Sequence, residues 1–325
     1  MSEFLFLLHG ATLALAWFLG VNAAATLIVV AVACRLTRHD RQRTPRFWLG
    51  LRLLPAAASI ALVAGVFVPS YWMYEPRDSA ENFDVTLATA AFVALVVVVS
   101  AIARGAAAWV RTSNRAHAWM QAAQPSAIAG GSMRAYELDS DAPIVALVGV
   151  LRPRLFITRR VVGALTGEEL AASVGHELGH WRAMDNLKRL AMRAAPDLFA
   201  MTAVARDLER RWAAASEHRA DLSACERVKA EDRARTRCAL ASAIVKVARM
   251  APMPATAEPL CTLVDGGDIA SRVRSLLDDD AAVAPPRSRR RWIGAGLAAA
   301  SLAFGYAPLL RAVHLATEML VQSLP

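Results

Sequence analysis

Four stretches of the chain are apolar for long enough to cross a bilayer. The first, Phe4 to Cys34, contains no charged residue. The second runs from Trp48 to Tyr71 and is interrupted by Arg52 and Pro55. The third covers Val85 to Ala103 and the fourth Trp292 to Leu310. Each approaches or exceeds the ~20 residues that a helix needs to span the hydrocarbon core. The first is too long for a cleavable signal peptide, and acidic Glu3 stands where a basic leader would be. It reads as a retained span.

Between the third and fourth runs the pattern changes. Residues 106–128 are alanine-rich and predict a helix, which Gly130-Gly131 ends. Met133 to Leu138, Ile144 to Val148 and Leu155 to Ile157 predict short strands. Thr166-Gly167-Glu168-Glu169 is a capping box, so a helix should start near Gly167. Leu170, Val174, Leu178 and Trp181 continue it at helical period. Further helices fit 186–194, 196–217 and beyond, and 231–250. The expected fold class is an α-helical membrane protein with an α+β domain, a small sheet beside a helical core. Its parts are 1–105 with three spans (about 4–34, 48–71 and 85–103), an aqueous domain over 106–290, and 291–325 with a fourth span and a short tail. Asp278-Asp279-Asp280 through Pro285-Pro286 forms a charged hinge into that span. The tail from Arg311 to Leu324 is expected to lie on the outer surface or fray.

Charge orients these spans. Arg35, Arg38, Arg41, Arg43 and Arg46 against Asp40 mark the first connecting loop as cytoplasmic. The next loop is acidic, with Glu75, Asp78, Glu81 and Asp84 against Arg77. Arg104 and Arg111 follow the third span, and Arg287, Arg289, Arg290 and Arg291 precede the fourth. The N-terminus should therefore face out and the 106–290 domain should be cytoplasmic. Composition agrees with a membrane protein. Of its residues 56% are hydrophobic, and the mean hydropathy is +0.34. The net charge of +9 sits almost wholly on arginine, beside apolar runs rather than in a nucleic-acid-binding face. Arg206, Arg210 and Arg211 form only a small basic cluster, interrupted by Asp207 and Glu209, so no direct nucleic-acid partner is expected. Cys34, Cys225, Cys238 and Cys261 match no zinc-ribbon spacing and read as unpaired thiols.

The capped helix carries His176-Glu177-Leu178-Gly179-His180. Positions i and i+4 share one helix face, so both imidazoles can reach one zinc ion. Glu177 adjoins them and can take a proton from a metal-activated water and pass it to a leaving amine. Gly179 is expected to leave room beside the metal for substrate. A catalytic zinc takes three protein ligands, and Glu217 is available as the third. Glu217 and Asp221 are again i and i+4, so one can bind metal while the other accepts the second N–H of a ligand histidine. His218 is a rival ligand at a different helical angle. His9, His39, His117 and His314 lie in membrane or flanking segments and are not expected to be ligands.

The residues from Gly149 to Ile157, the run Thr166 to His180 and Asp185-Asn186 together resemble the BlaR/MecR-type membrane metallopeptidases. The Glu217–Asp221 spacing is similar to the HtpX-type peptidases, which share the gluzincin arrangement. Ala270-Ser271-Arg272-Val273 resembles a basic motif common to these domains. The resemblance covers roughly residues 140–277. It implies one Zn2+ per chain held by His176, His180 and Glu217, with Glu177 catalytic and Asp221 and Asp185 behind the ligands. It also implies an endopeptidase in the inner membrane of a bacterial-type cell, acting in regulated proteolysis or signalling. Its substrate would be a cytoplasmic repressor, a membrane protein or the enzyme itself. Ile144 to Val148 would be an edge strand that pairs with extended substrate. The relatives carry a penicillin-binding sensor after the last span. This sequence ends at Pro325, so no such sensor is expected. The competing expectations are a quality-control peptidase of the HtpX kind and a non-catalytic membrane scaffold.

Overall fold

A computed structural model describes residues 3–36, 43–77, 84–126, 134–200, 202–250, 261–262, 269–278 and 290–323. For 261–262 and 290–304 it describes the backbone alone. The first apolar run forms α1 (Glu3–Leu36). The second forms α2 (Pro45–Leu62), which continues through a π turn, Val63–Phe67, into α3 (Val68–Tyr74). Pro45 sits at the start of α2, where its missing N–H costs nothing. The third run is the first half of α4 (Val85–Ala122), capped by the Asp84 carboxylate on the Leu87 N–H. Among the described residues these three helical segments are long and apolar enough to cross a membrane. They mark the chain as an integral membrane protein. Their outward positions, among them Leu27, Ile28, Phe92, Val96 and Ile102, are exposed and apolar, as lipid contact requires.

A five-stranded sheet follows, β1 (Ala123–Ser126), β2 (Ala135–Leu138), β3 (Val145–Val148), β4 (Arg154–Thr158) and, later in the chain, the two-residue β5 (Cys261–Thr262). Its order is β1-β2-β4-β3-β5. Only the β2–β4 pair is parallel. The helices after the sheet are α5 (Arg159–Ala164), α6 (Gly167–Ala183), α7 (Asp185–Ala194), α8 (Ala203–Cys225), α9 (Arg233–Met250), α10 (Ile269–Leu277) and α11 (Arg290–Ser323).

Several expectations change. The alanine-rich segment is not a separate helix, because α4 runs unbroken to Ala122. The chain then becomes extended, and Pro125 lies in edge strand β1, where a missing N–H is tolerated. The segment after Pro196 is not helical. The helix begins only at Ala203, where the Thr202 hydroxyl accepts the Ala205 N–H. β3 is not a free edge at Ala146 and Leu147, which pair with Thr262 and Cys261 of β5. The tail does not fray. α11 continues to Ser323, with Leu310 and Val313 buried, and the Ser70 hydroxyl donates to the Leu310 carbonyl. Gly130-Gly131, most of the basic first loop, Asp78 and Glu81, and the 279–289 hinge lie outside the described residues.

Two cores meet in the molecule. One joins the sheet to α6 and α9 through Leu147, Leu155, Ile157, Ala172, Leu240 and Ile244. The other joins the spans to α7 and α8 through Val29, Ala33, Trp48, Met192, Phe199 and Trp212. Gly105 of α4 permits part of this contact, since a Cβ there would lie 2.7 Å from the Ala194 Cβ. The spans therefore share packed interior with the catalytic helices rather than merely tethering them.

The α6 capping box is also a tertiary anchor. Thr166 N–H donates to Glu169 Oε2 at 2.8 Å, and the Glu169 N–H donates back to Thr166 Oγ1. The same carboxylate accepts from Ser242 and Lys246 of α9. Burial alone would raise the Glu169 carboxyl, but these donors outweigh it and lower it to about 2. Glu169→Gln should therefore cost about 1–2 kcal/mol at neutral pH. Because the folded-state value is depressed, the difference from wild type should be complete above pH ~4.5 and shrink as pH falls toward about 2. Melting temperatures of both proteins across that range check this.

Candidate metal centre

α6 brings His176, Glu177 and His180 to a place where all three are buried. α8 crosses it and supplies Glu217 and Asp221, also buried. The crossing is close because of Gly179. A Cβ on Gly179 would meet the Ala220 Cα at 3.1 Å and the Ala220 carbonyl oxygen at 3.3 Å. Gly179 thus faces α8 and sets the helix separation; it does not open space for substrate as the sequence suggested.

His176 Nε2 and His180 Nε2 lie 3.1 Å apart. Glu217 Oε2 is 3.5 Å from the first nitrogen, and Oε1 is 3.4 Å from the second. Tetrahedral zinc with bonds of about 2.0–2.1 Å places its ligand atoms about 3.3 Å from one another. The three side chains fit that figure and could hold a metal. The surrounding hydrogen bonds supply a second argument. Neither Glu217 oxygen has a hydrogen bond of good geometry, and both are buried. The other ring nitrogens each face an aspartate. His176 Nδ1 lies 2.8 Å from Asp221 Oδ1, and His180 Nδ1 lies 2.8 Å from Asp185 Oδ2. Each aspartate can accept an Nδ1–H, which leaves the Nε2 lone pair facing the centre.

Asp185 reaches His180 through a local backbone feature. α6 ends at Met184 in the left-handed region, φ 56°, and α7 starts at the next residue. That kink turns the chain so that Asp185 falls beside the helix it has just left. Lys188 and Ser216 both donate to the Asp185 carboxylate. Asn186 ties this turn to the sheet, with Nδ2 donating to the carbonyls of Leu147 and Gly149.

Arg272 of α10 completes the centre. Its Nε and Nη2 donate to Asp221 at 3.0 and 2.7 Å, and its Nη1 lies 3.0 Å from Glu217 Oε2. Burial raises the Glu217 carboxyl, but His180, His176 and Arg272 outweigh it and hold it well below the usual range. Asp221 and Asp185 are lowered in the same way by their imidazole and cationic partners. Glu177 differs. It has no hydrogen-bond partner, and burial pushes its carboxyl up to about 7. Glu217, Asp221 and Asp185 are thus three anions facing Arg272 and Lys188, an excess of negative charge that suits a bound cation.

The sequence-predicted residues His176, Glu177, His180, Glu217, Asp221 and Asp185 are all brought together. His218 is not; its Nδ1 faces Ser275 Oγ at 3.3 Å. Arg272 was visible only as part of a basic motif, with no sign that it would pair with Glu217 and Asp221. Cys225 and Cys238 are free thiols, and burial pushes the Cys225 thiol up to about 11.

Two imidazoles one helical turn apart, a glutamate on a crossing helix and a buried second glutamate beside a small sheet define a metal-dependent hydrolase domain. Residues 111–250 match the model of Peptidase family M48. That segment carries all three ligand residues and Glu177. The segment is similar to M48 peptidases, and the protein is a zinc metalloendopeptidase. A comparison with curated proteins gives no significant match.

Gly179→Val tests the helix crossing. The added side chain must push α8 from α6 and should cost about 1–3 kcal/mol. Zinc affinity should fall with it, because Glu217 moves away from the histidines. Zinc competition assays and melting curves on the purified protein check both.

Proposed function

We propose that this protein is a membrane-embedded endopeptidase acting in regulated proteolysis of the BlaR/MecR kind, with its catalytic domain in the cytoplasm. The observation that carries the reading is the convergence of His176, His180 and Glu217 beside a buried, unpartnered Glu177. When bound, zinc would supply a Lewis acid that polarises the scissile carbonyl and the attacking water. The rest is done by the chain's own groups. Asp221 and Asp185 hold the two imidazoles in the tautomer that presents Nε2. Arg272 keeps Glu217 and Asp221 ionised and in place. Glu177, with a carboxyl near neutrality, takes the proton of the attacking water and hands it to the leaving nitrogen.

The distribution of arginine supports a cytoplasmic catalytic domain and an outer N-terminus. The interior that the spans share with α7 and α8 supports a role in which membrane events reach the site. The substrate would then be a protein, with a cytoplasmic repressor favoured. The second reading is a quality-control peptidase of the HtpX kind, supported by the Glu217–Asp221 spacing. It differs in cleaving misfolded membrane proteins without one dedicated target.

Glu177→Gln should retain one zinc per chain and lose about 10²–10⁴-fold in cleavage rate. Metal analysis and a comparison of cleaved cellular proteins between wild type and this variant test it; wild-type cleavage by the variant would sink the reading. A single dedicated target favours regulated proteolysis, and a spread of misfolded membrane proteins favours quality control. Reporter fusions at residues 76 and 284 should report opposite sides of the membrane. The same side for both would overturn the topology.

A further inference from the structure

The metal centre draws its residues from two bodies. His176 and His180 belong to α6, which packs with the sheet and α9. Asp185 opens α7 and Glu217 rides on α8, and these two helices pack on the spans. Residues 195–200, which join α7 to α8, lie in no helix or strand. Some of their polar groups bond locally, Asp197 N–H to the Ala195 carbonyl and Thr202 to the Phe199 carbonyl; others find partners on the membrane helices.

Three spans each supply one. From α1, the fully buried Asn22 donates to the Pro196 carbonyl at 3.0 Å and accepts the Leu198 N–H at 3.0 Å. From α4, Arg104 donates to the carbonyls of Arg193 and Ala195. From α2, Arg52 does more. Its Nη1 donates to Asp197 Oδ2 at 2.6 Å, its Nη2 to the Met192 carbonyl at 3.1 Å, and its Nε to Glu209 Oε1 at 3.0 Å. Its guanidinium also stands 5.2 Å from the Phe199 ring centroid. One guanidinium therefore holds the end of α7, the joining segment and the start of α8 together. A planar fork with donors in fixed directions can do this, whereas a lysine ammonium has no such geometry. Only 1% of Arg52 is exposed, so its position is fixed by these partners.

We infer that Arg52 is a positioning residue for zinc: it makes the geometry of the metal centre depend on where the second span stands. The inference rests on the reading that His176, His180 and Glu217 hold the metal. From Glu209 to Glu217 the chain is one helix, a lever of about 12 Å. From Met192 back to Asp185 it is again one helix, of about 10 Å. Both levers pivot on Arg52. A shift of the span relative to its neighbours moves Glu217 and Asp185 together, while the histidines stay with the sheet. The ligand edges of 3.1 to 3.5 Å then open or close.

The test uses the full chain in detergent or nanodiscs, with zinc as the probe. Arg52→Met, Arg52→Lys and the double variant Arg52→Met/Asp197→Leu are compared with wild type. The readouts are zinc dissociation constant, melting temperature without metal, and kcat and KM on a peptide. Arg52→Met should weaken zinc by about tenfold or more and lower kcat with KM unchanged. Arg52→Lys should recover only part of either. The double variant removes the unpaired buried charge, so its melting temperature should return toward wild type. Its zinc affinity should not return, and this separates positioning from plain stability. Wild-type zinc affinity and kcat in the double variant overturn the inference. Where Arg52→Met does not fold, the double variant decides, and where neither folds, Arg52→Lys decides by the same criterion. The functional reading fails separately, through a wild type that binds no zinc or a Glu177→Gln variant that cleaves normally.

Discussion

Buried charge needs a partner, and that constraint organises this molecule. Glu177, Glu217, Asp185 and Asp221 all sit where water does not reach. A carboxylate in such a place is costly unless donors or cations face it. Arg272 spans Glu217 and Asp221, Lys188 and Ser216 hold Asp185, and the imidazoles meet both aspartates. Glu177 alone is left without a partner, and it alone has a carboxyl near neutrality. The network thus separates two kinds of carboxyl in a small volume. Three are pinned as anions to build the centre, and one is kept free to exchange a proton.

The same constraint appears inside the membrane helices. Arg52 looked like a flaw in an apolar run, since a lone arginine in hydrocarbon is expensive. It is not alone. The catalytic domain sends Asp197 and Glu209 to meet it, and Asn22 closes the backbone of the same segment. Intramembrane polar residues are retained where they have a task, and here the task is to join two parts of the protein.

Local patterns carried far in the sequence. The capping box located the start of α6, and helical spacing put His176 and His180 on one face with Glu217 and Asp221 on another. These features depend on residues three or four apart, so a linear reading finds them. What was missed depends on residues far apart. Arg272 sits on a short helix and meets Asp221 from 51 residues away. Gly179 reads as an opening until α8 is seen against it. The stretch from Pro196 reads as helix because its polar groups give no hint that spans will take them. β1 was hidden because α4 and its alanines run up to it without a change of composition, and only Pro125 marked the break.

α8 is the element in which these arguments meet. Its first half, at Ala205, Leu208 and Trp212, is packed into the core shared with the spans. Its last turn, at Ala224 and Cys225, is packed into the core of the sheet and α6. Glu217 lies between the two. A helix does not stretch, so both cores act on this one residue at once, and neither can shift without the other feeling it. The histidines have no such double attachment. Coupling between membrane and metal through α8 therefore reaches the site at the third ligand, because Glu217 lies on the helix that both bodies hold.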